Sequence, residues 1–127
     1  MAVCDYRGFE PDQQFDRIVS VGMFEHVSEA RLPEYFSRVW HLLQPGGAFV
    51  NAGIAASATF HRPEPSFIDR YVFPDGDLVP FNISLGAAER SGFEVKDVES
   101  LREHYALTLH QWARRLEAHA EQARSYH

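Results

Sequence analysis

One cysteine, Cys4, is too few for an intrachain disulfide, so burial and hydrogen bonding must hold the fold. Such cysteine usage fits a reducing compartment, and the cytoplasm is the expected location. No apolar run approaches the roughly 20 residues of a membrane-spanning helix. The opening MAVCDYRGFE has no charged stretch followed by an apolar one, so it does not read as a secretory signal. Basic residues are scarce too. There are 12 Lys and Arg against 18 Asp and Glu, giving a net charge of -6. That balance favours solubility and argues against a broad nucleic-acid surface, leaving Arg114–Arg115 as a local basic pair. The histidines form no H-E-x-x-H pattern and Cys4 stands alone, so no metal site is expected. There is no G-x-S-x-G for a serine nucleophile.

What is present suits one α/β domain. The length of 127 residues allows a single core, and ten Phe, five Tyr and two Trp supply its bulk. FDRIVSVG, residues 15–22, contains a short apolar run that reads as a buried parallel strand. Leu32, Tyr35, Phe36, Val39, Leu42 and Leu43 then recur at helical spacing, with Pro33 in the first turn. Gln44-Pro45-Gly46-Gly47 stops this helix. A second buried strand is expected from Gly47 to Ile54. Strand, helix and strand in this order predict a parallel βαβ unit with a right-handed crossover.

The middle is less regular. Residues 55–65 read as a loop, and residues 66–71 as a short helix capped by Ser66. Phe73 to Asp77 has turn chemistry. Asn82 to Ser91 reads as a helix ended by Gly92. Phe93 to Val98 alternates apolar and charged residues and predicts a half-exposed strand. A last helix begins near Leu101, with Tyr105, Leu109, Trp112 and Leu116 on one face and fraying expected beyond Glu117. Phe15 to Ile54 looks like the middle of a doubly wound sheet. No G-x-G-x-x-G is present, so the chain reads as beginning partway through a fold.

Five segments carry a resemblance. CDYR at 4–7, FDRIVSVGMFEHV at 15–27, LLQPGGAFVNAGI at 42–54, FIDRYVFPDGDL at 67–78 and GFEVKDVESLREHYALTLHQW at 92–112 together resemble the cyclopropane-fatty-acyl-phospholipid and mycolic acid cyclopropane synthases. These are methyltransferases that use S-adenosylmethionine. The resemblance implies an α/β fold: the carboxyl-terminal part of a Rossmann-like methyltransferase sheet, with the amino-terminal strands and glycine-rich loop missing. Residues 1–127 would form one partial methyltransferase domain.

The implied reaction delivers a methylene group to the cis double bond of a phospholipid acyl chain. A carbocation forms there, and losing a proton closes the cyclopropane ring. Such a site must hold an apolar chain, keep water from the cation and present a base. The family uses a bound bicarbonate for the last. By motif, Glu25 and Tyr105 would hold that anion through their side chains and Ile54 through its backbone. Asp5 and Tyr6 would flank the adenine of S-adenosylmethionine, where a carboxylate can accept from the amino group. The residues alone leave plainer roles open. Glu25 suits the first turn of a helix, Tyr105 suits a core face, and Asp5 suits a polar position after a strand. His26 is expected to pack beside the strand, and Cys4 to be a small buried residue.

One departure bears on the chemistry. The family strand usually carries histidine two residues before the isoleucine, and Ala52 stands there. Alanine cannot donate to an anion, and a lost hydrogen bond to a charged group costs roughly 1.5–3 kcal/mol. Phe67, Ile68, Tyr71 and Phe73 are expected to wall the acyl chain or close a local core. Partners would be phospholipid acyl chains, with peripheral contact at the inner face of the membrane and no nucleic acid. The alternatives are a related lipid methyltransferase, or a non-catalytic chain that self-associates through an exposed sheet edge.

Overall fold

A computed structural model describes residues 3–59, 67–71, 74 and 76–126, with no side-chain description for 68 and 69. The chain divides into two compact units, Met1–Val95 and Lys96–His127.

The first unit is built on β1 (Phe15–Val21), α1 (Leu32–Leu42) and β2 (Leu43–Ala52). The two strands pair in parallel, as the strand–helix–strand pattern predicts. From Arg17↔Ala48 to Val21↔Ala52 the register is continuous. Between Phe15 and Arg17 it shifts, because the opposite strand runs from Leu43 to Ala48 over the same distance. Gln44 to Gly47 therefore loop out inside the ladder, with Gly46 at φ +79°. The helix does stop where the Pro-Gly punctuation predicts. The strand begins at Leu43 rather than Gly47, since Leu43 already pairs with Phe15, and it ends at Ala52 rather than Ile54.

Alternation gives the sheet two unlike faces. Ile18 and Phe49 lie against the core and Asn51 reaches Tyr35. On the opposite face Val19, Val21 and Val50 are 64%, 73% and 56% exposed. Helix α1 buries Leu32, Tyr35, Phe36 and Val39, at the spacing read from the sequence. A second helix, α2 (Phe67–Tyr71), is short, and its expected cap at Ser66 lies outside the described residues. Most of the expected turn at 73–77 lies there too, apart from Pro74, Gly76 and Asp77. Helix α3 (Phe81–Arg90) closes the core with Ala87 and Ala88. It ends at Gly92, whose φ is +104°. Gly92 N–H donates to Glu89 O and Phe93 N–H to Ala88 O, a Schellman motif that satisfies carbonyls of the last turn.

The strand expected at Phe93–Val98 does not form. Phe93 and Val95 are half-buried and Glu94 and Lys96 exposed, so the alternation is expressed, but among the described residues no neighbouring strand offers a ladder. Ring packing holds Phe93 instead, at 5.2 Å from Trp40 and 5.8 Å from Phe49. The second unit contains α4 (Arg102–Ala118) and α5 (Ala120–Arg124). The fraying expected beyond Glu117 is replaced by this second short helix, which the Ala and Glu content supports.

Tyr35 ties the first unit together. It is 0% exposed, and its hydroxyl donates to Asn51 Oδ1 at 2.9 Å. Burial pushes the phenol up to about 12 from its ordinary 10. The folded state therefore holds this proton more tightly than the unfolded chain does. The stability it contributes is complete below pH 10 and is lost as pH rises towards 12. Two pKa units amount to about 3 kcal/mol. Denaturant titrations across this range should show that slope in the parent and lose it in Tyr35→Phe. At neutral pH the same substitution should cost about 1–2 kcal/mol, because Asn51 loses its donor. An unchanged alkaline slope in the variant would assign the effect to other groups.

Candidate functional site

The carboxyl ends of β1 and β2 define the site. Open parallel sheets place ligands there, because the loops that leave the strands diverge at that end. After Val21 the chain turns at Gly22, whose φ of +67° suits glycine, and Gly22 N–H donates to Ala52 O at 3.0 Å. A 3-10 turn, Phe24–His26, follows at once. Phe24 and the adjacent Val27 are anchored in the core, which fixes the residue between Phe24 and His26. That residue is Glu25.

Glu25 occupies the first turn of a short helical element, as its plainer reading expects, yet no side-chain capping bond is made there. Its Oε2 is buried and has no hydrogen-bond partner. It lies against Gly53, where an added Cβ would come within 2.8 Å of that oxygen and 3.0 Å of Phe24 Cβ. The main chain of Glu25 is held from the other side, by Asp77 N–H donating to Glu25 O at 3.0 Å. Asp77 in turn accepts from Glu29 N–H at 3.3 Å. The segment beyond it is fixed by Ala56 N–H to Val79 O and Phe81 N–H to Ala56 O.

Glu25, Ala52, Gly53 and Ile54 thus gather at one end of the sheet. Ile54 is 38% exposed, just past the end of β2. Tyr105 belongs to the second unit, on α4, where it is 43% exposed and meets Trp112 edge-on at 6.3 Å. No residue of α4 is buried, so the core role open to Tyr105, Leu109, Trp112 and Leu116 is not realised. The rings of Phe67 and Tyr71 meet at a tilt, 5.1 Å apart, and the two residues are 71% and 64% exposed; they close no core. The side chains of Ile68 and Phe73 lie outside the description.

Asp5 and Tyr6 stand beside a shallow cleft of about 440 Å³, lined with Met23, His26, Val27 and Arg31 among others. Asp5 caps the 3-10 turn Tyr6–Gly8. Its carboxylate accepts from the Arg7 main chain and from the Arg7 guanidinium, which holds its pKa down at about 2. These bonds occupy its acceptor positions. Tyr6 is half-buried, with its ring edge-on to Tyr35 at 5.8 Å. Burial raises its phenol above the ordinary value. His26 is exposed on the rim. Cys4 is exposed as well, not buried as expected, because it precedes the turn on the cleft wall instead of entering the core. Among the described residues no three metal-ligating side chains converge, and no helix is long and apolar enough to cross a membrane.

Gly53 was not singled out by motif. An isolated glycine in a strand pattern often marks a close approach, and that signal was available in Asn51-Ala52-Gly53-Ile54.

Comparison with known proteins places this geometry. The model of the mycolic acid cyclopropane synthetase family matches residues 1–127. A probable fatty acid methyltransferase of Pseudomonas putida is 45% identical over 121 residues, covering 92% of this chain and 31% of that protein. A solved cyclopropane synthase from Mycobacterium tuberculosis superposes with a TM-score of 0.83 at 27% identity, over 96% of this chain and 46% of its own. A mycolic acid cyclopropane synthase solved with SAH and CTAB gives 0.79 at 33% identity, over 93% and 45%. The chain spans about a third of the Pseudomonas protein and under half of each solved one. Its α/β fold is that of these methyltransferases.

Gly53→Ala should cost about 1–3 kcal/mol, since the new methyl meets both Glu25 and Phe24. Denaturant unfolding reads this directly. A neutral result would mean that the Glu25 side chain moves aside freely.

Proposed function

The chain belongs to the mycolic acid cyclopropane synthetase family, and on that premise we propose that it forms the carboxyl-terminal part of an enzyme that closes cyclopropane rings on lipid acyl chains. The substrate would be a cis double bond in a phospholipid. The observation that carries the reading is Glu25: a buried carboxylate oxygen without a partner, at the carboxyl end of two parallel strands. A buried acceptor left unpaired costs free energy, and a bound group with a hydroxyl to donate would recover it.

Family membership and the solved relative with SAH support S-adenosylmethionine as the cofactor. When bound, it supplies its sulfonium methyl as the electrophile. The residues of this chain would do the rest. Tyr6 offers its ring to the wall of the cleft. Asp5 can serve an adenine amino group only after Arg7 releases it. Glu25 would accept from the hydroxyl of a bicarbonate, Ile54 would present its backbone, and Tyr105 would donate its phenol. Ala52 adds nothing to this set, so the anion would be held by one donor fewer than in the family pattern.

That gap favours a second reading, a lipid methyltransferase whose product is a methyl branch. The name of the Pseudomonas relative points the same way. A non-catalytic chain that self-associates through the open Val19, Val21 and Val50 face is the remaining alternative, and peripheral contact with a membrane would bring an acyl chain within reach.

The test is product analysis with S-adenosylmethionine and unsaturated phospholipid vesicles, using a family-length protein that carries these residues. Ring methylene protons in the NMR spectrum support the first reading and a branch methyl the second. Absence of any one-carbon product defeats both. In the same protein Glu25→Gln should lower turnover about a hundredfold while cofactor affinity holds. Ala52→His should raise ring formation; equal rates would argue that another base serves.

A further inference from the structure

Arg38 is assigned no role by motif, yet it reaches from α1 to the segment that carries Asp5 and Tyr6. Its Nε donates to Tyr6 O at 3.2 Å, and its Nη2 donates to Phe9 O and to Glu10 Oε1. The Arg38 side chain is only 18% exposed, whereas that of Glu10 is 80% exposed. The two main-chain carbonyls are therefore the substantial partners, and the ion pair is a rim contact. One turn away on the same helix, Tyr35 meets the ring of Tyr6. Helix α1 thus holds Tyr6 twice, by its ring and by its carbonyl.

Little else holds this segment. Asp5 and Arg7 bond to each other, which shapes the turn without attaching it. The turn's own main-chain bonds, Gly8 N–H to Asp5 O and Phe9 N–H to Tyr6 O, are 3.2 and 3.4 Å long. Phe9 stacks on Phe15 at 6.1 Å, which anchors only the far end. A fork that spans the carbonyls of residues 6 and 9 fixes both ends of the turn at once, a geometry that suits the planar guanidinium.

We propose that Arg38 is a positioning residue for the cofactor: it clamps residues 6–10 onto α1 so that Tyr6 and Asp5 stand as a preformed wall of the 440 Å³ cleft. The proposal rests on the reading that this wall flanks the adenine of S-adenosylmethionine. Apparent affinity scales with the fraction of molecules whose wall is in place. If loss of the fork lowers that fraction to about a tenth, affinity falls about tenfold.

Amide NMR of the family-length protein that carries these residues reads both steps, with S-adenosylmethionine titrated to millimolar concentration. In the parent, the Tyr6 and Arg7 amides should shift saturably. Arg38→Met keeps the stem and removes the donors. It should speed amide exchange at Gly8 and Phe9 and weaken the cofactor about tenfold, with amides of β1 and β2 unchanged. Arg38→Lys should recover part of both effects, and Glu10→Gln should change neither. Parent-like affinity in Arg38→Met overturns the positioning role alone. Parent-like exchange at Gly8 and Phe9 overturns the clamp itself. Absence of saturable shifts in the parent overturns the adenine reading, and the positioning role with it.

Discussion

The first unit depends on what Tyr35 touches. Its ring meets Phe36 on its own helix, Phe49 on β2, Phe24 in the turn before Glu25 and Tyr6 in the turn beside the cleft. Its hydroxyl reaches Asn51. The turn that carries Glu25 and the turn that carries Asp5 and Tyr6, both proposed to contact ligands, are therefore seated on one fully buried side chain. A phenol is suited to this position, because the ring fills the core while the hydroxyl satisfies a polar group of the sheet. A purely apolar residue would fill the volume and abandon Asn51.

Glu25 and Gly53 form a second dependence. The carboxylate and the Phe24 side chain both lie within 3.0 Å of where a Cβ on residue 53 would be. Two successive positions thus shape the site by what they omit: a donor at Ala52, the last residue of β2, and a Cβ at Gly53 just beyond it. The first omission bears on which base the proposed reaction would use. The second bears on whether Glu25 fits at all.

Much of this was legible in the sequence, for identifiable reasons. α1 was readable because its apolar spacing matches its burial, and Pro33, Pro45-Gly46 and Gly92 mark where elements start or stop. β1 was readable as a strand but not as the buried one expected, since Val19 and Val21 lie on the open face of the sheet. The strand read at Phe93–Val98 was not formed, since alternation describes one chain whereas a ladder needs two. Local pattern could not show that Phe93 docks by its ring. Glu25 was found through its motif, but that its buried oxygen lacks a partner is a property of three segments meeting. Arg38 was invisible for the same reason, because main-chain carbonyls 29 and 32 residues away leave no side-chain signature.

The positions of the two tryptophans have a practical consequence. Trp40 belongs to the first unit, where its indole covers Gly92 and meets Phe93 edge-on. Trp112 belongs to the second, beside Tyr105. Each unit therefore carries one tryptophan. Replacing either with phenylalanine leaves a single indole, which can be excited apart from the tyrosines at the red edge, and the emission of the two variants separates unfolding of the sheet unit from melting of the helical one without any attached dye.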